Sequence, residues 1–213
     1  MVERVGITMR IAQAGDYYEP RDCLAQDWYP FLDYALPELH WLLVPNIGAD
    51  VVGYAERLGI DGFILTGGND IGDEVVRDET EHHLIAHGMA NGLPVFGVCR
   101  GLQLIQHYFE GSLIECARET HVAKRHAVTF VQPWAGTVAA GDSGEVNSYH
   151  TQAVSEGGLA PPLQSLAVTD DGLVEGVVHP EQRVAAVMWH PERNTPYADL
   201  DRLLIRAFFG LEI

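Results

Sequence analysis

Lysine is almost absent from this chain: Lys124 is the only one among 13 basic residues, which face 30 acidic ones. The resulting formal charge of −17 sets up a field that repels nucleic acid and anionic membrane surfaces, and both are excluded as partners. Cysteine is scarce as well. Cys23, Cys99 and Cys116 are an odd number with no close pair, which argues against a disulfide framework and for a reducing, cytoplasmic setting. No apolar run reaches membrane-spanning length, and no N-terminal signal pattern, internal repeat or low-complexity linker stands out. What is present is ordinary for a globular protein. With 47% hydrophobic and 20% charged residues, 213 residues suit a single α/β domain over 1–213 with a sizeable core.

The chemistry gathers around Pro94-Val95-Phe96-Gly97-Val98-Cys99-Arg100-Gly101-Leu102-Gln103. Val95 to Val98 is a short apolar run of the kind that forms a buried parallel strand, and Leu102, Ile105 and Phe109 then recur at helical spacing. Small residues at Gly97 and Gly101 would let the backbone turn sharply and hold Cys99 at a helix N-terminus, whose positive end favours the reactive thiolate. The turn by itself suits a buried structural cysteine equally well. Near the far end, Val184 to Met188 is an apolar strand that runs out into His190-Pro191-Glu192. Spacing of two puts base and acid on one side of an extended segment, and Pro191 biases His190 away from helix. Cysteine, histidine and acid meeting at strand ends would form a nucleophilic triad.

Other elements follow in order. Strands are expected over 2–8, 41–44 and 62–65, with an amphipathic helix over 50–58 between the last two. Residues 14–22 are expected as a polar loop, followed by a helix from about Asp22 that is interrupted at Pro30. Thr66-Gly67-Gly68-Asn69-Asp70 could aim backbone amides at a ligand or be a plain turn. A helix over 79–90 carries His82, His83 and His87; His83 and His87 could pair on a metal, but without a third ligand a solvated face is the preferred reading. His121 and His126 are read the same way, so no metal and no cofactor is assigned. The C-terminal half is β-rich, with strands over 127–131, 138–140, 166–169, 173–178 and 184–188, and a closing helix over 199–209 whose Asp199 and Asp201 suit its N-terminus. Glu145 to Gln152 is a polar cluster placed in a loop between those strands.

Four blocks then carry a resemblance: Leu65 to Asp70, Gly97 to Gln103, Val146-Asn147-Ser148-Tyr149-His150-Thr151-Gln152, and Trp189 to Glu192. In this order they resemble the class I glutamine amidotransferase-like superfamily, most closely its γ-glutamyl-γ-aminobutyrate hydrolase (peptidase C26) branch. Tyr17, Glu19, Arg21, Asp22 and Trp28 are in addition similar to a short stretch of the γ-glutamyl-CDP-amidate hydrolases. The resemblance implies a three-layer, open, mostly parallel flavodoxin-like sheet with flanking helices and an added β-rich portion. It implies catalytic Cys99, His190 and Glu192, and an oxyanion hole from Gly67 or Gly68 and the amide of Arg100. It further implies that Gln103, Asn147, Ser148, Tyr149 and His150 hold the glutamyl group. The Arg100 side chain could tune the thiol or meet a substrate carboxylate; a solvated side chain with a useful backbone is the reading adopted.

The expected activity is hydrolysis of a γ-glutamyl amide through a glutamyl thioester, on a small-molecule substrate. A glutaminase subunit that feeds a synthase partner, and a redox-sensing relative without turnover, are the alternatives. Homo-oligomerisation is open.

Overall fold

Residues 2–134 and 136–213 are described by the computed structural model of the protein. The N-terminal half alternates strands and helices: β1 (Arg4–Thr8), β2 (Arg10–Gln13), β3 (Pro20–Cys23), α1 (Trp28–Ala35), β4 (His40–Val44), α2 (Val51–Leu58), β5 (Gly62–Leu65), α3 (Val75–Asn91), β6 (Val95–Val98) and α4 (Arg100–Tyr108). The second half is mostly strand: β7 (Ile114–Glu115), the short α5 (Arg118–His121), β8 (Val122–Phe130), β9 (Ser143–Tyr149), β10 (Gln152–Ser155), β11 (Gln164–Thr169), β12 (Leu173–Val178) and β13 (Val184–Val187), closed by α6 (Asp199–Phe209).

One sheet runs through both halves in the order β4-β1-β5-β6-β13-β12-β11-β8-β9. From β4 to β13 every pairing is parallel; from β13 onward every pairing is antiparallel. The expected mostly parallel flavodoxin-like core with a β-rich extension is therefore present.

The central strands are buried on both faces, which is why they are short continuous apolar runs. Side chains alternate across the sheet: Ile64, Phe96, Val98, Ala185 and Val187 pack on the face that also holds Phe31 of α1 and Leu204 of α6. Phe63, Leu65, Val95, Val184 and Ala186 pack on the other, with Ala55 of α2, Leu84 of α3 and Leu104 of α4.

Four expectations are corrected. Residues 10–23 are a hairpin outside the main sheet, with Arg10 opposite Cys23 and Gln13 opposite Pro20. Pro-Arg-Asp-Cys carries little strand propensity, so its pairing comes from backbone bonds that composition does not announce. The following helix begins at Trp28 without interruption, because Pro30 lies in its first turn, where a missing N–H costs nothing. The Glu145–Tyr149 cluster is strand β9, not loop, and Val138 makes only an isolated bridge to Trp134 where a strand was expected.

Candidate active site

β6 delivers Cys99 and α4 starts on the next residue. Cys99 stands at φ 53°, ψ −104°, a conformation that costs a non-glycine residue about 1–3 kcal/mol. Its neighbours explain the glycines. A Cβ on Gly97 would come within 2.6 Å of the Gly101 carbonyl carbon, and one on Gly101 within 2.3 Å of the Leu65 carbonyl oxygen. Strand, helix and β5 thus approach so closely that only hydrogen fits.

β13 lies beside β6 with Val187 opposite Val98, so the chain leaving β13 carries His190 to the same sheet edge. Glu192 follows in a single 3-10 turn over Pro191–Arg193, not in extended chain, and its Oε1 is 2.7 Å from His190 Nδ1. Both side chains are buried. Burial alone would lower the pKa of His190; the charge and hydrogen bond of Cys99, together with those of Glu192, outweigh it and raise the imidazole to about 9. Cys99, His190 and Glu192 are therefore brought together in the order that the sequence suggests.

Gly67 belongs to the same centre. A Cβ there would sit 2.8 Å from His190 Cε1 and 3.7 Å from Cys99 Cβ. The loop is held from behind by Arg77, whose Nη2 donates to the carbonyls of Thr66 (2.8 Å) and Gly67 (3.2 Å). Because a trans peptide sets C=O and N–H in opposite directions, this contact turns the Gly68 N–H away from Arg77. Asn69 clamps the hairpin to the loop, accepting from the Ile11 N–H and donating to the Ile11 carbonyl, each at 2.9 Å.

The Arg100 side chain corrects the sequence reading. It is buried, not solvated, and pairs with Glu81 and Asp78 of α3. Glu81 also accepts from Arg77 Nε at 3.2 Å. Burial pushes the Glu81 carboxyl up, but the two guanidiniums outweigh it and hold it below the usual range. Sequence reasoning missed Arg77 and Glu81. Their signal was a spacing of four that extends the buried stripe of Leu84, Ile85 and Gly88 back by two turns.

The expected substrate contacts divide. Gln103 and Tyr149 line a cleft of about 390 Å³ with Cys99 and His190, and His150 reaches its wall. Gln103 Nε2 donates to the Gln152 carbonyl at 3.1 Å, and the Tyr149 ring lies edge-on to His190 with Arg193 over its face. Arg10 and Arg193 bring cations to this cleft, Asp70 and Asp73 carboxylates.

Asn147 and Ser148 are used elsewhere. The Asn147 amide brackets the His190 backbone, accepting from its N–H at 2.8 Å and donating to its carbonyl at 2.7 Å. Ser148 alternates to the opposite face of β9, is fully buried, and donates to the His121 carbonyl at 2.6 Å. Behind Asn147, Asn194 Oδ1 accepts at 3.0 Å and its Nδ2 donates to Asp201 Oδ2 at 2.8 Å. Asp201 Oδ1 takes the Trp189 indole N–H at 2.7 Å. Asp201 is thus no exposed helix-end charge: burial, only partly offset by these two donors, raises its carboxyl to about 6.

His83 and His87 remain half-buried on α3, where His83 approaches Glu79 at 4.0 Å and His87 meets Asn91. His121 and His126 are not a solvated face. His121 is buried, and its ring lies tilted, and that of His126 edge-on, to His150 beside buried Glu175.

A mostly parallel sheet with a cysteine elbow at its carboxyl edge is the arrangement that the resemblance to the class I glutamine amidotransferase-like superfamily implies. The chain belongs to the Peptidase C26 family, whose model matches residues 42–192. Over 213 residues it is 30% identical to the γ-glutamyl-CDP-amidate hydrolase of Campylobacter jejuni, covering 97% of this chain and 98% of that protein. It is 35% identical over 178 residues to protein NtpR of Enterococcus hirae, covering 70% and 74% of the two chains. A crystal structure of a Thermoplasma acidophilum protein named as a GMP synthase component superposes with a TM-score of 0.71, over 99% of this chain and 94% of that one; at 19% identity this likeness speaks for the fold alone.

Among the described residues no helix is long and apolar enough to cross a membrane.

Proposed function

We propose that the protein hydrolyses a γ-glutamyl amide, with Cys99 as nucleophile, His190 as proton carrier and Glu192 holding the imidazole. The observation that carries this reading is the strained Cys99 elbow facing a His190 whose Nδ1 is already engaged by Glu192 at 2.7 Å. With Nδ1 occupied, Nε2 is the nitrogen left to serve the sulfur.

Attack of the Cys99 sulfur on the γ-carbonyl carbon forms a C–S bond and leaves charge on the oxygen. The N–H of Arg100, at the start of α4, and that of Gly68, turned away from Arg77, stabilise this oxyanion; Gly67 supplies the space in which it develops. Protonated His190 gives its Nε2 proton to the departing nitrogen as the C–N bond breaks. Water, surrendering a proton to the now neutral imidazole, then cleaves the thioester and releases glutamate.

The cleft carries both signs of charge, which suits a zwitterionic glutamyl head: Asp70 or Asp73 for the α-ammonium, Arg10 or Arg193 for the α-carboxylate. Gln103 and Tyr149 orient it. The end-to-end similarity to the γ-glutamyl-CDP-amidate hydrolase makes a nucleotide amidate the first leaving group to test and γ-glutamyl-γ-aminobutyrate the second.

The test is glutamate release from a panel of γ-glutamyl amides by wild-type protein and Cys99→Ala. Release from at least one amide, lost in the variant, is expected. Turnover that survives the substitution would refute the assignment.

A further inference from the structure

The antiparallel half holds a second group of titratable side chains that the proposed reaction does not use. His121 ends α5, His126 lies in β8, His150 follows β9 and Glu175 lies in β12. His121, His150 and Glu175 are buried, at 2%, 3% and 0% exposure. Burial on this scale leaves polar atoms either hydrogen-bonded or bound to something.

Among the described residues, Nδ1 of His121, both ring nitrogens of His126, Nε2 of His150 and both carboxylate oxygens of Glu175 have no hydrogen-bond partner. Glu175 Oε1 is 3.2 Å from His150 Nε2 and Oε2 is 3.4 Å from His126 Nε2, close enough for hydrogen bonds but not directed as such. One donor atom each from His121, His126 and Glu175 lies within 4.8 Å of the other two.

The outer ring nitrogens, in contrast, are pinned. His121 Nε2 meets Asp171 Oδ2 at 3.1 Å, and His150 Nδ1 meets the Gln152 carbonyl at 3.1 Å. A carboxylate or carbonyl behind the imidazole, with the other nitrogen free and facing inward, is how metal-ligating histidines are held.

We infer that this pocket binds one divalent first-row transition ion through His121, His126 and Glu175, with His150 as the fourth donor. Imidazole and carboxylate together suit zinc, whose four-coordinate sites use bonds of ~2.0–2.2 Å and would draw these atoms together. The ion would tie α5, β8 and β12 to the cleft wall, because the Gln152 carbonyl that His150 contacts is also the acceptor for Gln103. The site is independent of whether Cys99 performs the proposed hydrolysis.

The test is zinc content. Protein stripped with a chelator, then dialysed against zinc sulfate and against buffer, should retain about one equivalent of zinc per chain, and cobalt(II) loading should give the visible bands of a four-coordinate site. His126→Asn should abolish stoichiometric retention. Asp171→Ala, at an exposed position whose carboxylate meets His121 Nε2 and the Thr169 hydroxyl, should weaken zinc binding by about 10–100-fold while circular dichroism stays unchanged. Cys99→Ala and the double variant His83→Asn/His87→Asn should hold zinc as wild type does. The inference is overturned if wild-type protein keeps no more zinc than His126→Asn, or if zinc is lost only when His83 and His87 are replaced.

Discussion

Two cysteine–histidine neighbourhoods share one sheet and behave oppositely. In the parallel half Cys99 faces an imidazole held protonated to about pH 9, at the first turn of α4. In the antiparallel half Cys116 lies 3.6 Å from His150 Nδ1, yet burial and then the negative charge of Glu175 push its thiol up, away from the reactive form. The residue types are the same. What differs is the setting: Glu192 stabilises an imidazolium that opposes the sulfur, whereas Glu175 adds a negative charge beside a sulfur whose thiolate burial already disfavours.

The sharpest break of this comparison is to remove each sulfur in turn. Cys99→Ala should lower glutamate release by roughly 10⁶-fold and Cys116→Ala by less than about 2-fold, measured as initial rates on the best γ-glutamyl amide. Equal losses would erase the distinction. Glu192→Gln leaves the geometry in place but misassigns the imidazole tautomer, and a fall in kcat of about 10⁴-fold is expected. Asn147→Ala removes the bracket around the His190 backbone without touching either reacting group; kcat should drop by about 10²-fold, with KM changing far less.

pH supplies a gentler probe. Since His190 is raised from 6.5 to about 9 in the folded chain, its contribution to stability is complete below pH 6.5 and is lost as pH rises through about 9. The melting temperature of wild-type protein should therefore fall across that window more than that of Cys99→Ala, in which one of the groups that raises His190 is gone. The rate should decline over the same upper limb, because neutral His190 has no proton for the leaving nitrogen. A rate that keeps climbing beyond pH 9 would contradict this role.

The elbow and the His190-Pro191-Glu192 segment were legible because local geometry encodes them: two glycines around a cysteine, and a base and acid two residues apart at the end of an apolar run. The buried ion pairs were not. Arg100 looked solvated because its partners, Glu81 and Asp78, come from a helix about twenty residues earlier, and only the packing of α3 against α4 pairs them. Asn147 and Ser148 were grouped with Tyr149 as substrate contacts, yet strand alternation sends Ser148 to the opposite face, and the Asn147 amide is consumed by His190. His121 and His126 looked incidental for the same reason: β12 supplies Glu175 from about fifty residues further on.

By itself, the sequence determined the sheet core, the sharp turn at Cys99 and the placing of a cysteine, a histidine and an acid at strand ends, because these depend on short-range sterics and on hydrophobic period. Only the tertiary structure decided which charges are buried together, which polar side chains hold other residues and which face the cleft. Electrostatics and hydrogen bonding act between neighbours in space, and the strand crossovers that make distant residues neighbours leave no mark in local sequence.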